Sequence, residues 1–194
     1  MLAMWAVMMV GMMLPSALPM ILLYQQMLRR YLAPQRHLAL LLFCLAYLLV
    51  WGGFSLLATG LQWGLDRLAL LNPQIRSESH LLGAALLLTA GIYQWLPDKA
   101  ACLAHCHGPV QFLVGHWRTG AAGGWRMGLA HGLYCLGCCW ALMGLLFVGG
   151  VMNLLWVALI GGYVLLEKTL PQGAWLGRIV GLLMLAWGLA LLLG

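Results

Sequence analysis

Residues 127–140, MGLAHGLYCLGCCW, hold one of the six histidines and three of the six cysteines in an otherwise apolar run. At about 100° per residue, His131, Cys135, Cys138 and Cys139 fall within about 100° of arc on one helix face, flanked by Met127 and Tyr134. Thiolate and imidazole are metal ligands, and this soft set favours Cu(I) first and Zn(II) second. Ionisable groups in a lipid-embedded helix generally face the protein interior and mark function.

Two further groups carry similar chemistry. In DKAACLAHCHGPVQFLVGHW, residues 98–117, Cys102 and Cys106 stand at i, i+4 with His105 and His107 beside them. All four are candidate metal ligands. A buried thiol pair and a haem attachment are the competing readings. The spacing Cys102-x3-Cys106-His107 resembles an enlarged haem motif, whose usual form has two residues between the cysteines. The third group is methionine: Met4, Met8 and Met12 follow one helix face, and Met9, Met13 and Met20 nearly the opposite one. Thioethers suit Cu(I) and not Zn(II), so Met4, Met8 and Met12 are read as outer ligands. Two opposite faces cannot line one path, so the other methionines are expected to pack.

The elements that position these residues follow from composition. The 194 residues are 64% hydrophobic and 7% charged, against about 25% charged in a soluble domain. No soluble fold of this size buries so much apolar surface, so lipid is the expected solvent. The fold class is an all-α polytopic transmembrane bundle, one domain over residues 1–194. About six spans are expected, near residues 1–24, 37–60, 80–96, 127–148, 151–166 and 174–194. Residues 61–79 read as an interfacial helix or an extended span, broken at Asn72-Pro73. Trp51-Gly52-Gly53 is expected to allow close helix approach. Residues 97–126 form the longest loop, ending in a small-residue linker at 119–124. Short connections predict that span 4 packs tightly on span 5 and span 5 on span 6, with span 3 looser beside span 4. Residues 1–23 read as a full span and not a cleavable signal, and a longer natural N-terminus is compatible with the abrupt apolar start.

The net charge of +6 lies between spans, which suits anionic lipid headgroups and topology control and not nucleic acid. Lys and Arg concentrate in the connections after spans 1, 3 and 5, so both termini are expected outside and the Cys102/Cys106 loop in the cytoplasm, where thiols stay reduced. Cys135, Cys138 and Cys139 then lie about 12–18 Å past Met127, near mid-bilayer. The donors form a hypothetical series from Cys102/Cys106 through the thiols of span 4 to Met12, Met8 and Met4, which requires spans 1 and 4 to pack together. Glu167-Lys168 reads as an ion pair at the membrane interface.

The segment AHGLYCLGCCWALMGLLFVGGVMNLLWVALIGGYVLLEKTLP, with Cys102, Cys106 and Pro109 upstream and MWAVMMVGMMLPSALPMILLY in span 1, resembles a bacterial family of predicted metal-binding integral membrane proteins of unknown function. The resemblance covers roughly residues 1–30 and 100–172. It implies a multi-pass protein of the bacterial inner membrane. By match to the motif it carries Cys102, Cys106, His131, Cys135, Cys138, Cys139, Met143, Met152, Asn153, Glu167 and Lys168. Members often have an additional N-terminal span and a Met-rich outer loop, which this chain lacks.

The expected function is Cu(I) binding in transport or homeostasis, with a metallochaperone or a larger membrane complex as protein partner. Two alternatives stand. One is a structural or accessory subunit, with the cysteines as small buried hydrophobes. The other is a membrane thiol oxidoreductase using the Cys135-Leu-Gly-Cys138 pair, which lacks the helix N-terminus that activates such a thiol. Other catalysis is not expected. The carboxylates Asp66, Glu78, Asp98 and Glu167 are scattered, and no zinc-protease, serine-hydrolase or phosphate-loop motif is present.

Overall fold

The computed structural model describes residues 1–30, 35–68 and 79–193. Within them the chain is helical: α1 (Leu2–Arg30), α2 (Arg36–Arg67), α3 (His80–Tyr93), α4 (Pro97–His107), α5 (Pro109–His116), α6 (Gly120–Gly144), α7 (Leu146–Gly149), α8 (Leu154–Thr169) and α9 (Gly173–Leu193). No strand occurs among the described residues. The stops follow local chemistry. Pro97 and Pro109 open α4 and α5 at the first turn, where a missing N–H costs nothing. Asn153 caps α8, its side chain accepting from the Trp156 N–H.

Four helical stretches are long and apolar enough to cross a membrane: α1, α2, α6 continued by α7, and α9. The other two expected spans are shorter. Helix α3 has 14 residues and α8 has 16, about 21 and 24 Å of rise against a hydrocarbon core of about 30 Å. The Asn72-Pro73 break lies outside the described residues. Solvent-like exposure of Ile179, Leu182, Leu183, Trp187 and Leu189 along α9 leaves an apolar outer face suited to lipid.

The packing order differs from that expected from chain connectivity. The most extensive interfaces are α2 on α6 and α3 on α9, followed by α1 on α2 and α4 on α6. Helix α8 touches α6 only lightly and makes its largest contact with α1. Spans 4 and 5 are therefore not tight neighbours. The reason lies in α6 itself. A Cβ at Gly124 would overlap the Ala39 carbonyl, one at Gly128 the Phe43 carbonyl, and one at Gly132 would come 2.9 Å from Val50. Three glycines at four-residue spacing let α2 lie backbone-on-backbone against α6. A Cβ at Gly52 or Gly53, by contrast, would meet nothing within 4 Å. The close approach is on α6, and residues 120–124 are its first turns and not a linker.

The segment between α3 and α6 is not a hanging loop. Helix α4 packs across α6. Helix α5 inserts Phe112 and Leu113 among Met20, Tyr24, Leu28 and Phe43. The main core gathers Trp5, Met9, Met13, Tyr47, Trp51, the three α6 cysteines and Phe147. Trp5 ties α1 to α2 through an indole donation to Gln62 at 2.7 Å.

Candidate metal centre

Cys135 stands 15 residues into a helical stretch that runs over Gly120–Gly149, which is about 22 Å from its start and close to its middle. The one-face arrangement of α6 holds: His131, Cys135, Cys138 and Cys139 are all buried. The Cys138 and Cys139 thiols donate to the Cys135 carbonyl at 3.1 and 3.0 Å.

Three other helices complete the site. From α2, the Tyr47 hydroxyl lies 3.2 Å from Cys135 Sγ and donates to the Met13 carbonyl at 3.1 Å. From α4, Cys106 packs against the core that holds the α6 thiols. Cys102 reaches Gly137, where a Cβ would lie 2.8 Å from its sulfur. The neighbouring Cys138 thiol and burial push the Cys106 thiol well above its ordinary range, and burial raises Cys102. Cys102 and Cys106 are thus not a separate station ahead of the α6 thiols. Cys106 is part of the same cluster.

From α8 comes Lys168, whose Nζ lies 2.9 Å from Cys135 Sγ, 3.4 Å from Ser16 Oγ and 4.0 Å from both Met13 Sδ and Cys139 Sγ. The expected Glu167-Lys168 interface pair is absent, because consecutive helical residues point about 100° apart. Glu167 instead pairs with Lys99 of α4. Gln94 accepts from the same ammonium, and Tyr163 donates to Glu167 at 3.2 Å. Lys99 and Glu167 are 3% and 1% exposed. A buried pair this deep needs each partner. His107 adds a second tie, its Nε2 donating to the Glu167 carbonyl at 2.5 Å. Together these bonds hold α4 against α8 and so hold Cys106 on Cys138.

The remaining expected ligands divide. His131 is sandwiched between Phe43 and Tyr47, and its Nδ1 is buried without a hydrogen-bond partner. An orphaned ring nitrogen one turn from Cys135 is available to a cation. His107 is engaged with α8. His105, about 100° around α4 from Cys106, stacks on Tyr134 of α6 with ring centroids 4.1 Å apart. Met4, Met8 and Met12 line an apolar groove of about 820 Å³ between α1 and α8. Met9, Met12 and Met13 share one buried core with the thiols, Met4 and Met8 pack against it, and Met13 Sδ is the thioether that reaches the Lys168 amine. Spans 1 and 4 share no extensive interface of their own; Tyr47 of α2 and Lys168 of α8 bridge Met13 of α1 to Cys135 of α6. Among the described residues no three His, Cys, Asp or Glu side chains already stand at coordinating spacing. The sulfurs are arrayed around the lysine amine.

A family model described as PpoB2, copper chaperone, matches residues 2–191. The chain belongs to this family. No curated protein and no solved structure matches it. The PpoB2 match covers nearly the whole chain and gives the soft-donor cluster a metal-related setting. Buried thiols, an unpaired imidazole and a thioether are the donor set that selects copper over hard cations.

Sequence reasoning missed Tyr47 and Lys99 and misread Lys168. Tyr47 carries no motif. The glycine spacing Gly124, Gly128, Gly132 was the available signal that α2 would face α6.

Proposed function

We propose that this chain is an integral membrane copper chaperone that holds Cu(I) at Cys135, Cys138 and Cys139, with Cys106 and His131 completing the donor set, and passes the ion on within the bilayer. The observation that carries this reading is Lys168. Its amine lies among three sulfur-bearing residues, Met13, Cys135 and Cys139, and a serine, with its neighbouring carboxylate committed elsewhere. A cation entering the cluster has to reach the same sulfurs, so loading exchanges the amine for the metal. A site that must release its cargo suits such a built-in competitor better than a closed cage of thiolates.

The chain is read as a single transmembrane domain of the bacterial inner membrane with both termini outside. Helix α5 then lies toward the cytoplasmic end of α1, beside Tyr24 and Leu28, while α4 carries Cys102 and Cys106 to the middle of α6. Copper arrives there reduced and leaves to a metallochaperone or a larger membrane complex. Zn(II) is the second cargo. Met13 adjoins the cluster through the Lys168 amine and gives Cu(I) the advantage.

The test is the metal content of anaerobically purified protein in detergent, beside a Cys135/Cys138/Cys139→Ser variant. Copper bound by the wild type and lost in the variant supports the reading. No copper in either after Cu(I) is offered overturns it.

A further inference from the structure

The α4–α5 elbow carries a second group of donors outside the thiol cluster. His105 and His116 approach with ring centroids 6.2 Å apart, at 72° to one another. Both line a hollow of about 330 Å³ together with Gln111. Each imidazole is fixed in the same way. His105 Nδ1 donates to the Ala101 carbonyl at 2.8 Å and His116 Nδ1 to the Phe112 carbonyl at 3.1 Å. A ring whose Nδ1–H is held by a carbonyl keeps its Nε2 lone pair for a metal, which is how ligating histidines are oriented.

Aromatic faces hold the same two rings. Tyr134 stacks on His105 with planes 2° apart, and Phe112 stacks on His116 at 4.6 Å. Neither histidine meets the thiols. Cys106 faces inward to Cys138, and His105, the preceding residue, turns outward by about 100°. Two imidazoles with free Nε2 atoms suit the low coordination number of Cu(I), with Gln111 at the rim of the same hollow.

We propose that His105 and His116 form a second, outward-facing copper site, a two-imidazole seat that takes Cu(I) before it reaches Cys106 and Cys138. Its role as a loading site rests on the copper reading above; the existence of the pair rests on its own geometry. His105 and Cys106 being consecutive, one turn of α4 presents both the outer and the inner ligand.

The experiment is Cu(I) titration and copper X-ray absorption on the full chain in detergent under nitrogen. Three proteins are compared: wild type, the variant with Cys102, Cys106, Cys135, Cys138 and Cys139 changed to Ser, and His105→Gln/His116→Gln with all cysteines kept. The serine variant is expected to retain copper with a nitrogen and oxygen shell only. The double glutamine variant is expected to keep its sulfur-bound copper, lose the nitrogen-bound ion and load the thiols more slowly. If the glutamine variant binds as much copper as wild type, with an unchanged nitrogen shell, the proposal is overturned and the thiol site stands. This arm decides the matter even where the serine variant does not fold. Absence of copper from wild type overturns both readings together.

Discussion

Lys168 Nζ sits 2.9 Å from Cys135 Sγ, joining α8 to the middle of α6 inside an apolar core. The contact links a helix end to a mid-helix thiol and puts an amine where a soft cation would bind. Lys168→Leu keeps the apolar part of the stem and removes the competing nitrogen without adding a donor. Cu(I) should bind this variant more tightly, by roughly tenfold, about 1.4 kcal/mol, and leave it more slowly. Competition against a chromogenic Cu(I) chelator measures this. Weaker binding would mean that the amine recruits copper and does not compete with it.

The α2–α6 contact predicts an asymmetric pair of glycine substitutions. Gly128→Ala drives a methyl into the Phe43 carbonyl, whereas Gly53→Ala meets open space. Overpacking of this kind costs about 1–3 kcal/mol. Gly128→Ala should lower the thermal midpoint in detergent, and Gly53→Ala should leave it in place. Equal midpoints would show that the helices can separate without penalty.

The Lys99–Glu167 pair is predicted to be a clamp on α4. Glu167→Gln leaves the Lys99 ammonium buried without its carboxylate, a loss of about 3–5 kcal/mol. Lys99→Met with Glu167→Leu removes both charges and should recover much of that. Alkylation of Cys106 should accelerate in the single variant and slow again in the double. Identical alkylation rates in all three proteins would remove the clamp from the account.

Cys106 and Cys138 come from different helices, and Cys106 packs against the buried core that holds Cys138. Mild oxidation of the metal-free protein should therefore join them, and Cu(I) should protect them. Peptide mass mapping reads the linkage. A Cys135–Cys138 disulfide in its place would favour the C-x-x-C pair as the redox-active one.

The helical content, the helices apolar enough to cross a membrane and the shared face of His131, Cys135, Cys138 and Cys139 were determined by the sequence alone. Each depends only on composition or on the 3.6-residue repeat, which act within one helix. The partners of that face were not legible there. Which methionine reaches the buried amine, which amine lies beside Cys135 and which lysine takes Glu167 depend on how helices turn toward each other. Only the tertiary structure decided these, because three glycines on α6 admit α2 and bring Tyr47 to Cys135. The buried Lys99–Glu167 pair then folds α4 back so that Cys106 joins a cluster some thirty residues downstream. Long-range packing and charge burial act between segments that sequence spacing does not relate.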